Sequence, residues 1–285
     1  MAGFSGPPHF PEFATQNQPG LNSEWRKRVT IEHLLTHTGG LTSWKPFYKQ
    51  VQTHKQLVDA VCATPLEAEP GTRYCYSDLG FILLGELASR AGKKPLSELE
   101  QQHVFTPLAM NRTTRKLGNQ QSQAAPTEYS TATQSYWRGI VHDENARAGN
   151  GETGHAGLFS TIEDVSQFGA ELLLALRGES RHFPKPIVLN FTRRRGVIPE
   201  LNRGLGWGHA TGKNVAIGLS ESAFGHTGFT GTSFWVDPEK NLFFILLSNR
   251  VHPTRKNYKI SQVRRDFTSA VIADWKKSNE SESTK

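Results

Sequence analysis

The chain has 285 residues, 36% of them hydrophobic and 21% charged, and it carries a formal net charge of +7. These proportions are typical of a soluble globular protein, and no apolar run is long enough to cross a bilayer. The basic residues form short scattered groups without a nucleic-acid-binding motif, so solvated faces explain the charge better than a nucleic-acid partner.

The first half of the chain predicts mainly helices. Residues 1–28 are rich in Pro, Gly, Asn and Gln without periodicity, and they indicate an extended lead-in that has no signal peptide. Capping residues and apolar periodicity then predict helices after Thr30, from Ser77 to Gly92, and from Pro95 to Phe105. Residues 111–135 are rich in Gln, Thr and Ser and predict a long loop or insertion.

The second half predicts a helix, a hairpin and a terminal helix. A capping box at Thr161 and Asp164 begins the helix, and a strand is expected near Val215 to Leu219. Two apolar runs, 232–236 and 242–247, flank a turn-forming stretch and indicate a β-hairpin. In the last helix apolar residues recur every three or four positions, at Ile260, Val263, Phe267, Val271 and Trp275.

Helices that precede an antiparallel sheet, without regular alternation of strands and helices, favour an α+β layer architecture. We therefore predict an extended lead-in over 1–28, one domain over 29–275, and a polar disordered tail over 276–285. The amphipathic terminal helix is expected to pack on the sheet.

Three stretches resemble familiar sites but fit other roles better. His33 and His37 have the spacing of zinc peptidases, yet Leu34 replaces the required glutamate and no third ligand follows. A capping histidine at a helix end is therefore favoured, and we predict no metal and no organic cofactor. Stretch 225–232 lacks the Gly-Lys-Ser/Thr ending of a phosphate loop and continues into a strand. The adjacent carboxylates at 143 and 144 point apart, so a structural loop network explains them better than an acid/base pair.

Four stretches, taken together and in this order, resemble the penicillin-recognising serine hydrolases: class C β-lactamases, DD-peptidases and family VIII-type esterases. They are 30–41 (TIEHLLTHTGGL), 70–85 (PGTRYCYSDLGFILLG), 154–161 (GHAGLFST) and 225–232 (GHTGFTGT). The resemblance covers most of the chain, from about Val29 to the final helix. It implies a β-lactamase/transpeptidase-like fold, in which an antiparallel sheet packs with helices beside a helical region.

The resemblance implies roles for two residues at the start of the second predicted helix. Tyr76 and Asp78 match the family's Tyr-x-Asn element, with Asp in place of Asn. Tyr76 would share proton transfer with the lysine of the nucleophile element. Asp78 would contact the amide side chain of the substrate.

The resemblance also implies roles at the start of the hairpin. His226, Thr227 and Gly228 match the family's Lys-Thr-Gly, and the histidine would be an electrostatic and proton-relay partner facing the substrate carboxylate. The strand that follows, near Thr230, would supply one backbone N–H of the oxyanion hole. The glycines of this stretch would let the substrate lie along the sheet edge.

The family's nucleophile is missing from the printed sequence. It is the serine of a Ser-x-x-Lys element on a helix, where this spacing puts both side chains on one face, and no such element occurs in the chain. Ser23 and Ser261 are followed at that spacing by Arg26 and Arg264, and arginine cannot act as a base. Residues 9–13 resemble the family's segment after the nucleophile helix, so we expect the N-terminal part of the fold to be missing and apolar sheet surface to be exposed.

Two functions from different classes follow. The first is a serine hydrolase that forms and hydrolyses an acyl-enzyme with a β-lactam, a D-Ala peptide or a small ester, here truncated and inactive or nearly so. The second is a catalytically silent module that recognises cell-wall peptides, and a third alternative is a fragment complemented by an N-terminal segment from another polypeptide. Tyr76 and His226 favour the first, because a module selected only for binding has less need of both. The substrate would be a small molecule or a peptidoglycan-type peptide, and the resemblance implies a periplasmic or extracellular location.

Overall fold

The computed structural model describes residues 11–14, 23–199, 201–210 and 218–282. The α-helices are α1 (Pro11–Ala14), α2 (Ser23–Arg26), α3 (Ile31–Leu35), α4 (His54–Cys62), α5 (Asp78–Gly92), α6 (Leu96–Glu100), α7 (Glu144–Ala148), α8 (Ile162–Arg177), α9 (Lys185–Thr192) and α10 (Ile260–Glu282). Shorter helical turns cover Phe47–Lys49, Gln101–Phe105 and Gly118–Gln123. The strands are β1 (Tyr129–Ser130), β2 (Ser135–Tyr136), β3 (Gly208–His209), β4 (Phe224–Thr227), β5 (Ser233–Asp237) and β6 (Leu242–Leu246). Among the residues described, none of the helices pairs the length of a bilayer span with a sufficiently apolar sequence.

The helical region is built around α4 and α5. The Thr30 hydroxyl accepts the His33 backbone N–H at the start of α3 (3.1 Å), and the Ser77 hydroxyl accepts the Gly80 N–H at the start of α5 (3.3 Å). These bonds satisfy helix N–H groups that have no partner within the helix, and they confirm both predicted helix starts. The apolar faces of α4 and α5 meet in a core whose completely buried members include Leu57, Val61, Cys62, Leu79 and Ile82.

The segment predicted as an extended lead-in contributes to this core, which corrects that prediction. It contains α1 and α2, and Phe13 is only 3% exposed. Arg26 is fully buried, and its guanidinium donates to the carbonyl oxygens of Phe13 (3.3 Å), Cys62 (2.8 Å) and Thr64. Helices of four residues are too short to show apolar periodicity, so the sequence pattern places the start of the folded region too late.

Four antiparallel strands form the main sheet in the order β3–β4–β5–β6. Strands β5 and β6 confirm the predicted hairpin, and β4 lies beside β5 with His226 opposite Phe234 and Gly225 opposite Trp235. The predicted strand near 215–219 falls largely on residues 211–217, which lie outside the described residues.

Helix α8 crosses one face of this sheet. The Thr161 hydroxyl accepts the Asp164 N–H at its start (3.4 Å), as the predicted cap requires. A Cβ on Gly169 would lie 2.6 Å from the Phe243 ring, so glycine lets the helix approach β6 closely. The core between helices and sheet contains Leu172, Leu173, Ala175, Val188, Phe224 and Val236.

Helix α10 packs against the sheet, and Phe267 meets Phe244 of β6 with ring centroids 6.0 Å apart. Because neighbouring strand residues face opposite ways, Phe244 and Phe243 place α10 and α8 on opposite faces. Ile272 is buried, but Val263 of the predicted apolar stripe is 45% exposed. The helix continues to Glu282, so the predicted boundary of a disordered tail at 275/276 falls inside a helix. Polar residues without Pro or Gly do not end a helix that tertiary contacts have begun.

The predicted loop after α6 holds one helical turn and the short β1–β2 hairpin. The C-terminal part of this loop is bound by hydrogen bonds and ion pairs to the segment between β6 and α10. Arg255 of that segment donates to the carboxylates of Glu128 and Glu144, each at 2.6 Å. Asn249 donates its amide N–H to the Pro126 carbonyl. Side chains therefore join the loop, the helical region and the sheet region.

Candidate active site

Tyr76 lies directly before α5, at a groove between the helical region and the sheet. The next residue, Ser77, fixes the turn by donating its hydroxyl to the Thr42 carbonyl (2.7 Å). Partial burial, and then the Asp78 carboxylate, raise the pKa of Tyr76 to about 12. The phenol is therefore protonated at neutral pH and can donate a hydrogen bond into the groove.

His226 lies on β4 across the groove from this tyrosine. The ring centroids of Tyr76 and His226 are 6.0 Å apart. Burial, and then the positive charge of Arg203, lower the pKa of His226 to about 4, so the imidazole is neutral at pH 7. A neutral imidazole can relay a proton, but it does not supply the positive charge that lysine supplies in Lys-Thr-Gly.

The groove has a volume of about 790 Å³. Four of the six predicted site residues line it: Tyr76, His226, Thr227 and Gly228. The other two, Asp78 and Thr230, are not part of the lining. The carbonyl of Thr230 accepts the backbone N–H of Arg250 (2.8 Å), which fixes the turn between β4 and β5.

Two glycines of stretch 225–232 are required by packing within the protein. A Cβ at Gly225 would collide with the Phe234 carbonyl oxygen of β5, and one at Gly228 would collide with the Thr232 hydroxyl. The Gly228 N–H also donates to the Thr232 carbonyl (2.8 Å). These two glycines therefore allow close packing in β4 and in the turn that follows it, and the approach of a substrate along the sheet edge stays a prediction.

Positive charge dominates the groove. Three arginines line it, and its lining, taken over the described part of the chain, contains no Asp or Glu. Arg264 donates to the carbonyls of Gly228 (2.6 Å) and Thr232 (2.7 Å), and Arg250 donates to that of Phe229 (2.7 Å).

Arg203 differs from the other two arginines. Its Nη1 donates to the Tyr74 hydroxyl (3.3 Å), whereas its Nε and Nη2 are buried and find no hydrogen-bond partner among the described residues. Its guanidinium carbon lies 5.8 Å from the Tyr76 ring centre. Sequence reasoning missed Arg203, because the residues that it meets are distant in the chain.

Asp78 faces a second cluster on the helical side. His155 Nε2 and the Asp143 carboxylate are 2.8 Å apart, and that carboxylate also accepts the Ala146 N–H (2.7 Å) at the start of α7. One ligand atom from each of Asp78, Asp143 and His155 lies within 4.8 Å of the others, so the three could hold a cation. Burial raises the pKa of Asp78. Of the two nearby groups, His155 lowers this pKa and the Asp143 carboxylate raises it. The predicted loop network at 143 is present, and the structure adds His155 to it.

The two histidines with zinc-peptidase spacing have separate roles. His33 Nδ1 accepts the Thr30 N–H (3.2 Å), which confirms the predicted capping histidine. His37 is 3% exposed and its ring packs on Tyr76, so it belongs to the candidate site. The sequence signal was its position in stretch 30–41, the first of the four stretches that carried the resemblance.

Ser23 and Ser261 are the two serines considered above because an arginine follows each at the Ser-x-x-Lys spacing. Of these two, Ser261 lies at the groove. Ser261 lines it at the start of α10. Its partner at three-residue spacing, Arg264, is held by the β4–β5 turn and cannot deprotonate. Ser261 therefore lacks an activating base at this spacing.

Comparison with known proteins shows similarity to members of one family. The family model described as Beta-lactamase matches residues 13–267. The N-acetylmuramyl-L-alanine amidase of Bacillus subtilis (strain 168) is 28% identical over 83% of this chain and 59% of its own length. A putative D-alanyl-D-alanine carboxypeptidase of Salmonella agona (strain SL483) is 29% identical over 89% of this chain and 64% of its own length. The chain thus spans less than two thirds of these curated relatives.

A solved structure gives the same architecture. EstCE1, a hydrolase with promiscuous acyltransferase activity, superposes with a TM-score of 0.67 at 19% identity and covers 93% of this chain and 76% of its own. This similarity confirms the predicted α+β, β-lactamase/transpeptidase-like fold. With a family model that matches residues 13–267, the chain belongs to the Beta-lactamase family.

Proposed function

We propose that this chain carries the tyrosine and histidine half of a serine hydrolase that forms and then hydrolyses an acyl-enzyme. The substrate is a β-lactam, a D-Ala peptide or a small ester. The observation that supports this is the convergence of Tyr76 and His226, from two distant stretches, on one groove. The 285 residues contain no Ser-x-x-Lys, so the printed chain alone is inactive or nearly so.

In the proposed reaction a serine oxygen attacks the substrate carbonyl carbon, and the bond to the leaving group breaks. The serine proton passes to the base formed by Tyr76 and the lysine of the nucleophile element, and the leaving group takes it up. Water then cleaves the acyl ester and restores the serine. Tyr76 is protonated at rest, so it needs a neighbouring amine to accept a proton, and neutral His226 relays protons at the other wall.

The positive charge for a substrate carboxylate comes from Arg203. Because His226 is neutral, the electrostatic role expected of Lys-Thr-Gly passes to another group in the groove. Arg203 has two buried donors without partners and lies beside Tyr76. Arg203 lines the groove, and a substrate carboxylate would pair with it once the guanidinium turns these donors toward the groove, since guanidinium and carboxylate form paired hydrogen bonds. This favours a carboxylate-bearing substrate, such as a peptide ending in D-alanine, over a neutral ester.

The first test is the DNA immediately upstream of the Met1 codon, read in frame. We expect an open frame that encodes a Ser-x-x-Lys element. The protein expressed from that frame should be labelled covalently by a fluorescent penicillin, and Tyr76→Phe should slow labelling by about 100-fold or more, as expected for loss of a proton-transfer group. An in-frame stop directly before Met1, or an extended protein that is never acylated, would contradict the proposal.

A second candidate function is a silent module that binds cell-wall peptides. It is favoured by one observation: the groove is formed and charged although the printed chain has no nucleophile element. This function predicts saturable binding of the fluorescent penicillin without a covalent product on a denaturing gel. Arg203→Met should weaken that binding, whereas Arg265→Met, an arginine outside the groove lining, should not.

A further inference from the structure

His37 occupies an unusual backbone position beside the candidate site. It follows α3 and has φ of +58°, in the left-handed region that non-glycine residues rarely adopt. Its imidazole is almost completely buried. A strained backbone that persists must be held by its surroundings, and such residues are concentrated at functional sites. The contacts of His37 should therefore show which neighbouring residues require this backbone conformation.

His37 accepts two hydrogen bonds, one from each of the residues that flank Tyr76 in the chain. The carbonyl of His37 accepts the Cys75 N–H (2.9 Å), and its Nδ1 accepts the Ser77 N–H (3.0 Å). One residue thus binds the backbone on both sides of Tyr76. The left-handed φ gives His37 the geometry in which its carbonyl and side chain reach the same segment.

The ring of His37 also contacts the tyrosine ring itself. The centroids of the His37 and Tyr76 rings are 4.2 Å apart, with 31° between their planes. The His37 ring stacks on Phe81 of α5 as well, at 4.9 Å. Since Phe81 belongs to a helix, this stack ties the orientation of the Tyr76 ring to the rigid start of α5.

The hydrogen bond from Ser77 fixes the tautomer of His37. Because Nδ1 accepts an N–H, it carries the lone pair, and the single proton of the neutral ring is on Nε2. Burial, and then the charge of Arg203, lower the pKa of His37 to about 3. The ring therefore stays neutral, and its acceptor stays available, throughout the physiological pH range.

We propose that His37 is the positioning residue of Tyr76: it holds the segment 75–77 through two hydrogen bonds and shields one side of the phenol with its ring. The importance of this for catalysis rests on the proposed function, in which Tyr76 transfers a proton. The two parts of His37 have separable tasks. Nδ1 and the carbonyl set the backbone, and the ring limits the access of water to the phenol.

Other groups also act on the phenol, and the test must keep them constant. After burial, the Asp78 carboxylate raises the pKa of Tyr76, Arg203 lowers it and Tyr74 raises it. His226 faces it from β4. Substitutions at position 37 leave all four groups in place, so a change in the titration of Tyr76 reports the loss of the His37 ring.

The experiment is an NMR titration of the full chain with ¹³Cζ-labelled tyrosine, in which Tyr76→Phe identifies the resonance. His37→Asn keeps a side-chain acceptor and tolerates a left-handed φ, but it removes the ring. His37→Phe keeps a ring and removes the acceptor. His33→Asn is the matched control, because His33 caps α3 away from Tyr76.

Wild-type Tyr76 should resist ionisation up to about pH 12 or until the protein unfolds. In His37→Asn its pKa should fall toward about 10, the value of an exposed tyrosine. In His37→Phe it should stay high while the melting temperature falls, because the Ser77 N–H loses its acceptor. An unchanged Tyr76 in His37→Asn, or an equal change in His33→Asn, would overturn the proposal.

A measurement on the wild type keeps the proposal testable if the variants do not fold. ¹⁵N NMR of the histidine rings should show His37 as the neutral tautomer with its proton on Nε2, and finding the proton on Nδ1 would overturn the proposal. The outcome is independent of the acylation assay. Failure of acylation with these results intact removes the proposed function and leaves the positioning role, and the reverse outcome removes only the positioning role.

Discussion

The two regions that meet at the groove bury their apolar residues to different extents. In the helical region, Leu57 of α4 and Leu79 of α5 are completely buried. In the sheet region, Val263 of α10 and Leu247 just after β6 are each 45% exposed. The face of the sheet under α8 is also closed, since Val236 is completely buried. The difference is therefore on the α10 side, where the sheet and its flanking helix leave apolar surface open to solvent.

The largest effect that separates the two regions is expected from truncation of buried leucine. Leu79→Ala should lower the free energy of unfolding by about 2–5 kcal/mol, because it removes buried methyl groups and leaves a cavity. Val263→Ala, on the open helix, should cost less than about 1 kcal/mol. Urea denaturation followed by circular dichroism measures both. Equal losses would show that α10 is as tightly packed as α5.

A second prediction concerns how far the helical region extends toward the N-terminus. Arg26→Met should cost about 2–4 kcal/mol, because carbonyl groups that the guanidinium satisfies lose their donor in a buried site. The control is Arg28→Met, whose side chain is 60% exposed and pairs with Glu69. This control should cost less than about 0.5 kcal/mol in the same urea experiment. If both substitutions cost the same, α1 and α2 are not part of the core.

A third, smaller effect is expected where the two regions meet. The pKa of His226 is about 4 in the folded chain, below the usual 6.5. The unfolded chain therefore binds the proton more tightly than the folded chain. The contribution of His226 to the free energy of unfolding is thus highest above pH 6.5 and decreases as the pH falls toward 4. We expect the loss to be about 1–2 kcal/mol, with allowance for screening by solvent.

His226→Gln should flatten the dependence of unfolding free energy on pH between 6.5 and 4. Buried His37, with a pKa of about 3, acts in the same direction and should leave some slope in this variant. The control is His182→Gln, since His182 is exposed. An identical slope in wild type and His226→Gln would mean that His226 is not held in its neutral form by the groove.

Local signals in the sequence predicted the elements that local interactions determine. Helix α5 was found from Ser77 and an apolar pattern, and the β5–β6 hairpin from two apolar runs around a turn. Burial of Arg26 was not predictable, because its carbonyl partners are assembled by tertiary contacts. The length of α10 was underestimated for a related reason, since polar composition alone does not determine where a packed helix ends.

The residue types of the candidate site were predictable from the sequence, but their charges were not. Tyr76 and His226 were found through the resemblance, and the structure brings their rings within 6.0 Å. That His226 is neutral depends on burial and on Arg203, which no spacing in the sequence connects to it. Asp78 was expected to contact substrate, and the structure places it beside the Asp143–His155 pair.

The contacts of Arg255 have a consequence for limited proteolysis. Its guanidinium binds Glu128, near the end of the predicted loop after α6, and Glu144 at the start of α7. A protease cut between β1 and β2, at residues 131–134, would separate the chain into two covalent pieces, with Glu128 on one and Arg255 on the other. The two pieces would still be held together by the Arg255–Glu128 ion pair, by the Asn249–Pro126 hydrogen bond and by the contacts of the regions on either side. A nicked sample should therefore run as one species on a native gel and as two bands after denaturation.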